Sequence, residues 1–331
     1  MRRGLIIWCL TLGMLAGVVP ARAELFNQTN QDVSSGWGLW TKRVGLSSFT
    51  FLKIGQGARP VALGEAYTAI ADDINAAFWN PAGLGHLKGS AYTLNYTRWF
   101  TGSKVLSGAL AFNAGFGVIG FSVISFATQQ FPVTTPTAPW GTGEMQKAGD
   151  LAISGMFAKR ITEKLMIGAQ VRWLQEDLVL DKMSNIDYSI GSMFYTGWGS
   201  TRIAMGFRNL GADKKVQQGG QITLMPATYN VAGAMEVFGK KDSKAFATLC
   251  VEESFITDYA PSTRVGLEAW MNNMLALRAG YRSNMELEDW SFGAGLKQKV
   301  RGKTFTVDVS YCREKEGLFD PPIRLTVGGA F

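Results

Sequence analysis

From Ser90 onward the sequence alternates, residue by residue, between an apolar face and a small or polar one. Leu165, Ile167, Ala169, Val171 and Trp173 alternate with Met166, Gly168, Gln170 and Arg172. Ile203, Met205 and Phe207 alternate with Arg202, Ala204, Gly206 and Arg208. Leu275, Leu277, Ala279 and Tyr281 do the same against Ala276, Arg278, Gly280 and Arg282, as do Phe305, Val307, Val309 and Tyr311 against Thr304, Thr306, Asp308 and Ser310. A period of two is that of a β-strand with unlike faces. Soluble antiparallel sheets share it, so the polar face decides. It is rich in Gly, Ala and Ser, with Arg and Glu between, as the lining of a lumen requires. A soluble sandwich would have to gather every apolar face into one core of unusual size. About fourteen such segments follow Ser90, an even number in the range of bacterial barrels. Each runs roughly 9–13 residues, enough to cross a bilayer at a tilt. The expectation is an all-β, antiparallel transmembrane barrel of about 14 strands, its apolar face against outer-membrane lipid.

Composition agrees. Charged residues make up 18% of the 331 residues, below the soluble average of about 25%. Glycines number 39 and aromatics reach 12%, which suits strands that face lipid on one side. The net charge of +7 is dispersed along the chain, so nucleic acid is not an expected partner.

The chain opens with Arg2 and Arg3, the apolar stretch Leu5 to Val19, and Ala21-Arg22-Ala23. Residues 1–23 therefore read as a cleavable signal peptide, with Glu24 the first mature residue. An uncleaved anchor is the rival, but the stretch is short for a span of about 20 residues. Cys9 would leave with the signal. Cys250 and Cys312 remain, and export permits their pairing. They fall two or more strands apart, which favours free thiols. There is no CxxC motif. His86 is the single histidine, so a histidine-based metal site is excluded and a barrel hydrolase is disfavoured. No catalytic residue, metal or cofactor is expected.

Val105 to Ala127 carries no charge and competes as a transmembrane helix. Two strands fit better, with Asn113-Ala114-Gly115 as a tight turn. Short links such as Gly197 to Ser200 and Met271 to Met274 read as periplasmic turns. Thr128 to Gly149, Gly211 to Pro226 and Glu314 to Pro321 read as external loops. Trp99, Phe100, Trp173, Trp270 and Trp290 lie near segment ends, where interfacial girdles belong. The last segment carries Ile323, Leu325, Val327 and Gly329 on one face and ends in Phe331. A terminal aromatic on an amphipathic strand resembles the signal read by the barrel assembly machinery.

Residues 24–87 do not alternate and are expected to form a separate hatch, with residues 88–331 as the barrel. The hatch holds Gly57-Ala58-Arg59-Pro60, Leu63-Gly64, Ala71-Asp72-Asp73 and Phe78-Trp79-Asn80-Pro81-Ala82-Gly83-Leu84. Pro60 suits a first helical turn. Val61, Ala62, Ala66, Ala69 and Ile70 then fall near one helical face, which predicts a helix across them. Asn80-Pro81 and Ala82-Gly83 are turn chemistry.

This arrangement resembles the start of the PorV/PorQ family, within the wider FadL-like barrels. The resemblance implies an N-terminal hatch plugging a barrel of about fourteen strands. For FadL-like proteins it implies a gated path for hydrophobic molecules that leave through a lateral gap in the wall. For PorV proper it implies an accessory or shuttle barrel of a type IX-like secretion system, holding secreted proteins at the surface. Ala82-Gly83-Leu84 after Asn80-Pro81 departs from PorV proper, which places the sequence with the broad family.

The candidate site residues follow. Asn80 and Pro81 are expected hatch anchors, flanked by Gly64 and Gly83. Arg59, Asp72 and Asp73 either pair with lumen charges and lock the hatch, or serve as caps and solvated charge. Lumen-facing Arg172, Arg202, Arg208, Arg264, Arg278, Arg282 and Arg324 mix with Asp187, Glu236, Glu252, Glu268 and Asp308. That mixture suits ion-pair networks that hold a plug better than an open charge-selective pore. Gly115, Gly117 and Gly120, read on the third strand, mark a strand able to bend and open a lateral gap, or small residues packed against the plug.

Overall fold

The computed structural model describes residues 46–331, apart from 180, 216–221, 242 and 286. The predicted signal peptide and residues 24–45 of the hatch segment lie outside the described residues. So does Cys9.

Fourteen antiparallel strands close into one barrel in which every strand pairs with its sequence neighbours. They are β1 (Ser90–Arg98), β2 (Lys104–Asn113), β3 (Val118–Ala127), β4 (Gly149–Arg160), β5 (Leu165–Asp177), β6 (Lys182–Tyr195) and β7 (Arg202–Gly211). The second half is β8 (Thr228–Phe238), β9 (Ala245–Ile256), β10 (Ser262–Met271), β11 (Leu275–Arg282), β12 (Glu288–Val300), β13 (Lys303–Glu314) and β14 (Ile323–Ala330). Strand β1 pairs with β14 from Ala91↔Ala330 to Arg98↔Ile323 and closes the ring. The apolar face predicted from period two points outward. Leu94, Leu106, Phe121, Val171, Ile190 and Leu277 are all exposed on the wall. In water such a surface would be an aggregation liability; in a bilayer it is the solvent-matched face. No described helix is long and apolar enough to cross a membrane, and the strands supply the crossing instead.

Parity sorts the links by end. Those after even-numbered strands are short, residues 114–117, 161–164, 196–201, 239–244, 272–274 and 301–302. The long links, 128–148, 212–227 and 315–322 among them, all gather at the opposite end. Both β1 and β14 meet at the short-link end, where Ser90 exchanges backbone hydrogen bonds with Phe331 (2.7 and 2.8 Å). The Phe331 ring is exposed, tilted against Tyr92 and covered by Lys303.

The core lies inside the lumen. Phe49, Leu63, Tyr67, Ile70, Trp79 and Leu84 of the hatch pack against wall residues such as Met166, Leu174 and Met193. The hatch is built of short pieces. A 3₁₀ turn spans Thr50–Lys53, helix α1 spans Ala58–Ala62, helix α2 spans Ala76–Trp79, and a further 3₁₀ segment spans Pro81–His86. The predicted helix therefore stops after one turn. Gly64 (φ 62) and Glu65 (φ 61) both adopt left-handed backbone, which no α-helix continues. Inside a lumen this segment is covered on all sides, so apolar spacing there does not report a helical face.

Two other expectations change. Gly115 and Gly117 lie in the β2–β3 link and not on β3, whose first residue is Val118. Trp270 points into the lumen and is buried, with Arg278 and Lys297 over its ring. Trp99 likewise sits under Arg324. Neither belongs to an outward girdle, whereas Trp173 and Trp290 do face outward.

Candidate functional site: a hatch keyed into the lumen

Arg59 on α1 is the central fastener. Its Nε and Nη2 donate to the two carboxylate oxygens of Glu268 on β10, each at 2.8 Å. Its Nη1 donates to Asp72 (2.6 Å) and Asp73 (2.8 Å) within the hatch. Glu268 also accepts from Arg278 Nε (2.7 Å), and Arg278 Nη1 reaches Asp308 (2.6 Å). Lys241, in the β8–β9 link, pairs with the other oxygen of Asp72. One ladder of alternating charge thus runs from a short link through the hatch to β13. Two-point guanidinium–carboxylate contacts fix direction as well as distance. Burial disfavours the charge of Asp72, but Arg59 and Lys241 outweigh it and hold this carboxyl well below its ordinary value. Tyr67 donates to Asp73 at 2.7 Å and leaves Asp73 positioned for both partners.

A second fastener is Glu65. Its carboxylate meets Arg282 at 2.8 Å and Arg264 at 3.4 Å. Arg282 also holds Glu288 (2.7 Å) on β12. Burial works against the Glu65 charge, yet Arg282 and Arg264 keep its carboxyl below the ordinary value.

Asn80 joins hatch and wall through its amide. Its Nδ2 donates to Thr68 O (3.0 Å) and Ser192 O on β6 (3.3 Å), and its Oδ1 accepts from Ala82 N (3.1 Å). The last bond caps the Pro81–His86 turn. Further contacts are spread round the wall. Thr68 N donates to Glu252 (2.9 Å), Gln170 to Ala77 O (3.2 Å), Arg202 to Ala69 O (2.9 Å), and Ala58 N to Thr326 (2.8 Å).

Glycines on the wall receive the hatch backbone. A Cβ on Gly280 of β11 would lie 1.9 Å from Gly64 N, and one on Gly168 of β5 would lie 2.4 Å from the Pro81 carbonyl carbon. Within the hatch, a Cβ on Gly83 would lie 2.0 Å from Ala71 O. These positions admit no side chain without moving the plug. Gly120 faces inward, against Met156 and the hatch residue Leu84. Its strand is paired without interruption to β2 and β4. In this arrangement β3 is continuous and Gly120 lies against the plug.

Space remains at both ends of the hatch. A cavity of about 270 Å³ opens at the short-link side, lined by the Arg59 ladder and by Ile74, Leu87, Phe246, Trp270 and Leu296. A cleft of about 30 Å³ lies on the long-link side, beside Trp79, Arg208 and Arg264. Cys250 and Cys312 are buried free thiols on β9 and β13. His86 sits against Gly83 O (3.0 Å) and Tyr195 Oη (2.8 Å), and burial lowers its pKa below the ordinary value.

The structure thus brings Arg59, Asp72 and Asp73 into one cluster and sets Asn80, Pro81, Gly64 and Gly83 at contacts within the hatch or with the wall. Sequence reasoning missed Glu65, Tyr67 and Lys241. It also missed the wall glycines as receptors, although Gly168 and Gly280 stood on the polar face of their strands and carried that signal.

No family model matches the sequence, and no curated protein matches it. Solved structures do. The CymD monoaromatic hydrocarbon channel aligns with a TM-score of 0.55 at 13% identity, covering 84% of this chain and 98% of that one. A FadL homologue of Pseudomonas aeruginosa aligns at 0.53 and 9% identity, covering 84% and 98%. The fold is that of the FadL-like outer-membrane barrels. The Pseudomonas putida toluene transporter TodX has the same FadL-like fold, with a TM-score of 0.52 at 10% identity over 77% of this chain and 91% of that one. At these identities the FadL-like likeness is one of fold.

Proposed function

We propose that the chain is a non-enzymatic, plugged conduit of FadL-like type, in which the hatch gates the passage of hydrophobic small molecules. The observation that carries this reading is the division of the lumen by the hatch. A partly apolar cavity faces one end and a cleft faces the other, and the hatch between them is held by polar contacts rather than by continuous backbone pairing. Contacts of that kind are separable, as a gate requires. The fold is shared with channels described as carrying monoaromatic hydrocarbons and toluene, which supports a ligand of similar character. Residues 1–23 act in this reading as a cleaved signal peptide, and Phe331 as part of the assembly signal.

The test is uptake of toluene and of a hydrophilic sugar by proteoliposomes holding the full mature chain. Toluene entry above the protein-free level, with sugar excluded, is expected. Equal entry of toluene with and without protein overturns the reading. A Gly120→Phe variant adds a ring where Leu84 meets the wall; in this reading it alters toluene uptake.

One observation favours a second reading, the PorV/PorQ-type secretion accessory that holds exported cargo. Trp140 is 96% exposed in the longest link, with Phe131 and Met145 also exposed on it. An apolar tip held away from the wall suits a protein partner. Covalent crosslinking through residue 140 in intact cells, followed by identification of the adduct, separates the readings: a recurrent secreted protein supports the accessory role.

A further inference from the structure

The short links alternate in chemistry around the ring. The β2–β3, β6–β7 and β10–β11 links have no charged residue and present the exposed apolar side chains Phe116, Trp198 and Met274. The intervening links are cationic. Lys159, Arg160 and Lys164 are exposed at β4–β5, and Lys240 and Lys244 at β8–β9. Lys299, Arg301 and Lys303 are exposed at β12–β13. Against these cations the sequence sets two carboxylates, Glu163 and Asp242, so each of the three links keeps a net positive charge. The long links, by contrast, mix Lys147, Lys214 and Lys215 with Glu144, Asp213 and Asp320.

The placement of these cations says what they face. Lys159 continues the lipid-facing column of Ile153 and Phe157 on β4. Lys303 continues that of Phe305, Val307 and Val309 on β13. Both side chains leave the wall sideways, at the edge of the apolar band, and not downward into solvent. Long cationic side chains at that depth lay their stems on apolar surface and place the charge among headgroups. Aromatic tips between them belong at the same depth. We propose that the short-link rim is a binding surface for anionic phospholipid headgroups, which anchors the barrel at that end against one leaflet.

The full mature chain is reconstituted into phosphatidylcholine vesicles that carry spin-labelled phosphatidylglycerol or spin-labelled phosphatidylcholine. The motionally restricted fraction is read by electron paramagnetic resonance. A preference for phosphatidylglycerol of about fivefold, the weight of a single cation at an anionic surface, is expected, and it declines with added salt. A variant with K159S, R160S, K164S, K240S, K244S, K299S, R301S and K303S loses the preference while keeping the heat-dependent gel migration of a folded barrel. Equal restriction of the two lipids by the native protein overturns the proposal. So does a preference that survives in the folded variant or in high salt. If the variant does not fold, the salt series on the native protein decides alone. A native barrel that ignores phosphatidylglycerol but captures polyglutamate also overturns it, by assigning the rim to an acidic protein.

Discussion

Arg59 meets three carboxylates on two different parts of the molecule, Asp72 and Asp73 in the hatch and Glu268 on the wall. Removing one partner of a buried ion pair leaves charge uncompensated and costs about 3–5 kcal/mol. Arg59→Ala is therefore expected to loosen the hatch while the wall, whose backbone strand pairing does not involve this side chain, stays closed. Limited proteolysis reads the first and heat-dependent gel migration reads the second; a hatch as resistant as the native one contradicts the fastener role. The pH dependence of the hatch has an acid part, to which Asp72 and Glu65 both contribute, and a higher part set by His86. Asp72 titrates lower in the folded protein than its ordinary 3.8. Its contribution is whole above 3.8 and is lost as pH falls through the lower folded value, since there the unfolded chain binds more protons. His86 titrates below its ordinary 6.5, so hatch stability also falls as pH drops from 6.5 through the folded value. Hydrogen exchange of residues 58–87 along a descending pH series is expected to show both losses, and His86→Gln to erase only the upper one. These residues were unevenly legible. Arg59 and Asp72 stood out because paired charges in an otherwise apolar stretch need partners. Glu65 did not, because its role depends on a left-handed backbone that brings it to Arg282 and Arg264.

The strands and the hatch obey different rules. A strand with lipid on one side and a filled lumen on the other must alternate, so the period of two made most of the wall legible, including the β2–β3 hairpin. The hatch touches wall or itself on every side, so its apolar residues carry no period, and the predicted long helix shrinks to α1. Here glycine pairs do what helical faces do elsewhere. Gly280→Val is expected to unseat Gly64 while β11 keeps its place in the ladder, because the added atoms enter the hatch and not the neighbouring strands. Overpacking of this kind costs about 1–3 kcal/mol. Planar-bilayer recordings are expected to show raised or flickering conductance in this variant, and a silent trace equal to the native one counts against it. Cys250 and Cys312, buried on β9 and β13, are expected to resist a maleimide reagent until the barrel is unfolded.

For the whole molecule, the sorting of links by length was legible in the sequence: successive links of a meander fall at alternate ends, and the long ones all follow odd-numbered strands. What the barrel passes was not, since the lumen is lined by ion pairs that hold the plug and by a cavity of modest size. A wild-type barrel is accordingly expected to conduct ions poorly in planar bilayers, with conductance rising in Arg59→Ala; a large steady native conductance would show that the hatch does not fill the lumen.

The seam between β1 and β14 imposes an order of events. Asn95 and Thr326 share a hydrogen bond across 231 positions of sequence, so the ring is complete only when the final strand arrives. By then the hatch, which precedes β1, already has partners on strands from β3 to β12 laid out around it. The wall is wrapped around its own plug, and the last strand to dock seals inside the lumen the segment that left the ribosome before any strand.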